Sequence, residues 1–250
     1  MKVHIFILCY NEEVLLPHTI AHYRKNIPEC IITICDNYST DRSVEIAKSL
    51  NCNVILWKSD NPKYEKCIDD HKYLDIKNNC WKDVSDGWII MCDMDEWLCV
   101  TQEELKKEKE ENVSILRVKG YNIVCESKTL DLSDLDIYSE NKGVYHIQEN
   151  KKLCFLREKI VEINYSIGAH NCKPVGVTRQ VKHSSKTYIN KHMNWLGLEY
   201  VTEKYKKRYE RIKNVDFFPQ IAKHYTDDKL KVKEEFNNFF NERKVIEEIE

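Results

Sequence analysis

Four short apolar runs, at residues 3–9, 31–35, 54–57 and 88–92, punctuate the first hundred residues and set the limits on the fold. Each has the length and the Ile/Val content of a buried strand, and each is too short for a buried helix. Helical patterns separate them. Leu15, Leu16, Ile20 and Tyr23 form an apolar stripe over 13–25, and Ile46, Ala47 and Leu50 follow the cap-rich Ser39-Thr40-Asp41. Residues 64–81 carry Cys67, His71, Leu74 and Asn78 near helical spacing. Strand and helix in strict alternation predict a mostly parallel sheet joined by right-handed crossovers. Thr101 with Glu104 reads as a capping box that opens a charged helix over 101–111, and a further strand follows at 113–118.

The ends of the runs are polar. The first ends in Tyr10-Asn11-Glu12-Glu13, the second in Asp36-Asn37-Tyr38-Ser39-Thr40-Asp41, and the fourth in Asp93-Met94-Asp95-Glu96. Parallel topology brings these ends to one edge of the sheet, where open α/β sheets bind ligands. Asp93 and Asp95, spaced i and i+2, offer hard oxygens to a divalent cation. Asn37, Ser39 and Thr40 are ordinary turn and cap residues, Glu96 is suited to bonding local backbone N–H groups, and Trp88 and Trp97 read as packing residues.

A net charge of −2 excludes the global basic field of a nucleic-acid-binding protein. The 11 cysteines are scattered without a C-x-x-C pair, and several, such as Cys9, Cys35 and Cys92, sit in apolar runs. They read as small hydrophobes in a reducing compartment rather than a disulfide framework or a zinc site. No run is long enough to span a bilayer, so the expectation is a cytoplasmic protein. After residue 120 the pattern loosens into short alternating segments that suit an antiparallel extension. Residues 186–212 and 229–249 read as charged amphipathic helices. The expected division is a domain at 1–185 followed by a helical appendage at 186–250.

On these three strand-end segments, in their order and spacing, the sequence resembles a family 2-type glycosyltransferase with the GT-A fold. The resemblance implies a mostly parallel central sheet flanked by helices, with a small antiparallel extension and C-terminal helices. It implies a nucleotide-binding half at 1–100 and an acceptor half at 101–185. It implies a nucleotide-sugar donor, most simply a UDP-sugar, and transfer to a hydroxyl of a glycan, protein or lipid-linked acceptor. It implies Mn²⁺ or Mg²⁺ on the D-x-D element, with Asp95 a direct ligand and Asp93 facing the ribose or the metal. Tyr10, Asn11, Glu12 and Asp36 would line the donor pocket, Asp36 on the base or ribose. A late histidine on the metal would be His170, with His183 the alternative, and Lys173 would meet the diphosphate, with Arg157 and Lys152 as further phosphate contacts. Inverting transfer needs a carboxylate base. Asp131, Asp134 and Asp136 fall in the right part of the chain, although Leu-Asp-Leu-Ser-Asp-Leu-Asp is equally turn composition. The alternatives are a nucleotidyltransferase and a non-catalytic nucleotide- or glycan-binding protein on the same fold. The C-terminal helices would serve as a cover, a partner surface or a homodimer contact.

Overall fold

A computed structural model describes residues 1–64, 67–212, 225–226 and 228–246. Strand β1 (Val3–Cys9) lies between β2 (Ile31–Asp36) and β4 (Trp88–Asp93), with β3 (Asn53–Leu56) outside β2; all four run parallel. Helices α1 (Leu16–Asn26), α2 (Ser43–Ser49) and α3 (Asp70–Asn79) fill the crossovers. β1 has no polar face because both faces of the sheet are covered. Val3, Ile5 and Ile7 pack with Leu16, Ile20 and Tyr23 on one side, while Phe6 and Leu8 pack with Trp81 and Phe155 on the other. α1 starts with Pro17 in its first turn, where a missing N–H costs nothing. α4 (Gln102–Glu110) starts at the expected capping box of Thr101 and Glu104.

Beyond β4 the sheet becomes antiparallel. β8 (Cys154–Leu156) pairs with β4, β6 (Ile115–Val124) with β8, then come β7 (Lys142–Tyr145) and β12 (Lys244–Val245). β9 (Ile160–Glu162) and β10 (Val175–Gly176) form a separate antiparallel pair, and the long β11 (His183–Trp195) runs parallel to β6 and antiparallel to β5 (Glu96–Cys99). The architecture is therefore the expected mostly parallel α/β sheet flanked by helices with an antiparallel extension.

Three sequence expectations change. The helix expected over 64–81 begins at Asp70, because the Asp69 side chain caps it by accepting the N–H groups of His71 and Lys72; residues 65–66 lie outside the described residues. The helix expected over 186–212 is strand β11 as far as Trp195, and α5 (Leu198–Ile212) starts after Gly197, which lies against the Ser127 carbonyl with no room for a Cβ. β11 was hidden by its buried polar residues, Ser184, Asn190 and Asn194, which break the apolar alternation. The helix expected over 229–249 is α6 (Lys229–Glu242), followed by β12; residues 247–250 lie outside the described residues. Among the described residues no helix is long and apolar enough to cross a membrane.

Candidate active site

The register of the sheet brings three strand ends together. Cys9 lies opposite Asp36, and Leu8 lies opposite Asp93. The loops after β1 and β2 are then closed against each other by hydrogen bonds. The N–H of Asn11 donates to Ser39 Oγ at 2.8 Å, that of Glu12 to Ser43 Oγ at 2.9 Å, and that of Glu13 to Asp41 Oδ2 at 3.1 Å. Asn11 Oδ1 accepts the Thr40 N–H at 2.7 Å, and Asn11 itself takes a left-handed φ of 54°, which Asn tolerates better than most residues. Ser39 and Thr40 thus have the turn roles their types suggest.

Asp36 does not face the opening. It is fully buried, and its two oxygens accept the N–H and the hydroxyl of Ser39 at 2.8 and 2.5 Å. Its neighbour Asn37 reaches further: Nδ2 donates to the Trp57 carbonyl, and Oδ1 accepts from Arg211 at 2.7 Å.

The acids after β4 form a tight turn with a basic partner for each. Asp93 accepts the Tyr73 hydroxyl, lies 2.9 Å from Lys77 Nζ and 3.8 Å from Lys151 Nζ. Tyr73 and Lys77 stand i and i+4 on α3, so one helix face presents both. Glu96 accepts the Asp93 N–H at 2.8 Å and pairs with Lys151, which is the local role open to it from the sequence. Asp95 is 3% exposed, and its Oδ2 meets Lys204 at 2.7 Å, Arg208 at 3.3 Å and His192 Nε2 at 3.5 Å. Burial alone would raise the Asp95 pKa; Lys204, His192 and Arg208 outweigh it and hold the carboxyl well below the usual range. The same balance applies to Asp93, where Lys77 and Lys151 overcome burial. Burial lowers His192, but Glu149 and Asp95 more than compensate, so its pKa lies above that of an ordinary imidazole.

The basic groups come from places the sequence reading passed over. Lys204, Arg208 and Arg211 stand i, i+4 and i+7 on α5, one face of a helix laid across the strand ends. Arg208 also lies 3.6 Å from Glu12 and donates to the Tyr225 hydroxyl at 2.8 Å, and the Arg211 guanidinium stacks 3.5 Å from the Tyr10 ring centroid. That spacing is a readable signal, masked in a sequence that is 32% charged. Glu149, in a short 3₁₀ turn, sits 3.6 Å from Lys151 and 3.7 Å from His192, against a bare Gly120 that a side chain would displace.

An open pocket lies between the β1 loop and α5, lined among others by Tyr10, Glu12, Tyr200, Lys207, Arg208 and Arg211. The other expected site residues stand elsewhere. His170 Nδ1 meets the Gln148 carbonyl at 2.9 Å, and His183 begins β11 opposite Ile115, so the histidine beside Asp95 is His192. Lys173 is exposed in a loop bonded through its backbone to Asn164. Asp131 accepts from Ser133, and Asp134 accepts from Ser127, Lys128 and Thr129, with Ser127 the chief cause of a pKa lowered to about 2. Asp136 borders a shallow surface depression with Lys25 and Tyr138. Arg157 donates to the carbonyls of Val84, Lys82 and Ile160 and lies over Trp81, a structural clamp.

These residues do not fit a Mn²⁺ or Mg²⁺ site. A hard cation needs several converging oxygens, and among the described residues no three His, Cys, Asp or Glu side chains converge to hold one. The Asp95 carboxylate instead serves three basic groups.

No curated protein matches the chain. Among solved structures, S. aureus TarS is similar over 95% of this chain and 43% of its own length, at 15% identity and a TM-score of 0.44. S. aureus TarS 1-349 in complex with UDP-GlcNAc covers 95% and 72%, at 16% identity and a TM-score of 0.40. The mannosyltransferase PcManGT from Pyrobaculum calidifontis, in complex with GDP-Man and Mn²⁺, covers 46% and 34%, at 12% identity and a TM-score of 0.34. Scores this low do not bear on donor, acceptor or metal. The match by family is to glycosyl transferase family 2, over residues 4–113. That stretch, somewhat under half of the chain, runs from β1 through the interlocked loops and the acid turn to α4, and over it the chain is similar to glycosyl transferase family 2.

Proposed function

We propose that this glycosyltransferase moves a sugar from a nucleotide-sugar donor, most simply a UDP-sugar, to an acceptor hydroxyl. One observation carries the reading. The loops after β1 and β2 and the acid turn after β4 meet on one edge, beside a pocket with an aromatic wall and basic groups. In this reading the nucleotide lies against Tyr10 and the interlocked loops, with Asn37 and Arg211 offering polar contacts, and the diphosphate lies toward α5. Aromatic and guanidinium planes suit a base, and Arg and Lys suit phosphate. Mn²⁺ or Mg²⁺ enters this reading through the family resemblance alone, and no step here is routed through it. The antiparallel half is the proposed acceptor side, and Glu149, buried between Lys151 and His192, is a carboxylate there that shares these two partners with Glu96 and Asp95 of the acid turn.

The test is nucleoside diphosphate release. The protein is incubated with UDP- and GDP-sugars and a mixed set of glycan, peptide and lipid-linked acceptors. Release of UDP or GDP above the donor-only rate is the expected result. Pyrophosphate release from a nucleoside triphosphate and a sugar phosphate would replace the reading with a nucleotidyltransferase. Saturable binding without release under any acceptor would replace it with a binding protein.

A further inference from the structure

We propose that the positive charge facing the donor diphosphate is supplied by helix α5 itself, through Lys207, Arg208 and Arg211, and that Asp95 is the ion-pair partner that seats this helix through Lys204 rather than a metal ligand. The inference rests on the nucleotide-sugar reading above and adds to it what neutralises the diphosphate.

The first support is charge balance. An acid cluster reserved for a cation would leave its carboxylates short of partners until the cation arrived, and buried charges without partners are costly. Here Asp93 has Lys77, Glu96 has Lys151, and Asp95 has Lys204 and Arg208, so the edge is compensated by the chain itself. A divalent ion on Asp95 would share one carboxylate with these groups and meet like-charge repulsion at short range.

The second support is packing. Lys204 is 8% exposed, and its ammonium lies 5.7 Å from the Tyr200 ring centroid. Val201 and Tyr205, on the same helix, are buried with Trp195, Val232 and Phe236. Lys204 thus meets Asp95 from a helix that is itself packed into the protein, and both members of the ion pair are buried.

The third support is the direction of the remaining groups. Lys207, Arg208 and Arg211 line the open pocket with Tyr10. Of the carboxylates on the same lining, Glu12 lies against Arg208, Glu13 pairs with Arg42, Asp41 accepts the N–H groups of Glu13 and Ser43, and Glu203 stands on α5 itself. Lys207 is exposed there, and Arg211 bridges the Tyr10 ring and Asn37. Guanidinium groups bind phosphate oxygens in pairs, and an ammonium adds a point charge; together they supply what a metal supplies elsewhere.

The experiment is calorimetric titration of the full chain with UDP and with GDP, once in EDTA and once with Mn²⁺. The expected result is binding of a nucleoside diphosphate in EDTA, changed less than about threefold by Mn²⁺. Lys207→Ala and Arg211→Ala should each weaken it about tenfold, the loss of one charge-assisted contact. The Lys207→Ala loss should vanish for uridine or guanosine, which lack phosphate. Asp95→Asn should keep binding in EDTA while lowering Tm; Lys207, on the helix surface, provides the test if that variant fails to fold. Binding only with Mn²⁺ would overturn the inference and leave the donor reading standing. Binding in EDTA that neither α5 variant weakens would remove the role of the helix. Binding of neither nucleotide in either condition would sink the donor reading, and this inference with it.

Discussion

In the parallel half of the sheet, the residues expected at the site stand at or just past the last residue of a strand: Tyr10 after β1, Asp36 at the end of β2, Asp93 at the end of β4. In the antiparallel half, they stand inside elements. His192 is within β11, hydrogen-bonded through Nδ1 to Asn122 of β6 at 2.7 Å, and Lys204 and Arg208 are within α5. The contrast shows two ways of placing polar groups. A strand end needs only a loop, so its polar residues leave the apolar pattern intact. A mid-element polar group must be buried with partners, and so its pattern resembles a solvated face.

The comparison can be broken most forcefully at Asp95. Asp95→Ala leaves Lys204 without its acid inside the protein and should cost about 3–5 kcal/mol in urea unfolding. Adding Lys204→Met should return part of that loss, since the two residues are one unit. Strict additivity of the two changes would show that they do not interact. On the strand-end side, Ser39→Ala removes the Asn11 N–H acceptor and a donor to Asp36. It should cost about 1–2 kcal/mol by the same measurement, with no change greater than that, because the loop is half open to water. Thr101→Ala removes the capping box of α4 and should cost about 1 kcal/mol.

A pH titration sharpens the antiparallel side. The folded pKa of His192 is raised by Glu149 and Asp95 against the lowering effect of burial. Its stabilising contribution is therefore complete below the unfolded-state value of about 6.5 and is lost as pH rises through the folded value. Stability should decline as pH rises above about 6.5, and the decline should disappear in His192→Gln. A decline that survives that substitution would assign it to another group. The smallest effect is expected at Lys173→Ala. Its side chain is exposed, so unfolding free energy should stay within about 0.5 kcal/mol and nucleotide affinity within about twofold. A larger loss of affinity would return Lys173 to the diphosphate.

How far the molecule could be read follows from the same contrast. β1 to β4, the strand-end edge and the Thr101–Glu104 cap were legible because their apolar and capping patterns are local. β11 was not, since Ser184, Asn190 and Asn194 face inward and their partners, such as Tyr205 on Asn194, lie on other elements. The acid turn was legible and its environment was not. Nothing near Asp95 in sequence announces Lys204, which is 109 residues away. Asp36 shows the converse: a residue with the right type and position spends both oxygens on its own turn.

The seating of α5 on the Trp195, Val232 and Phe236 cluster has a practical consequence. The segment from 198 onward sets the sign of the field at the strand ends. A fragment cut at residue 197 would retain most of the sheet but leave Asp95 and Glu12 without Lys204 and Arg208, while Asp93 and Glu96 would keep Lys77 and Lys151. Such a fragment would attract cations from the buffer and repel nucleotides. It would thereby display a metal affinity belonging to the truncation rather than to the whole protein.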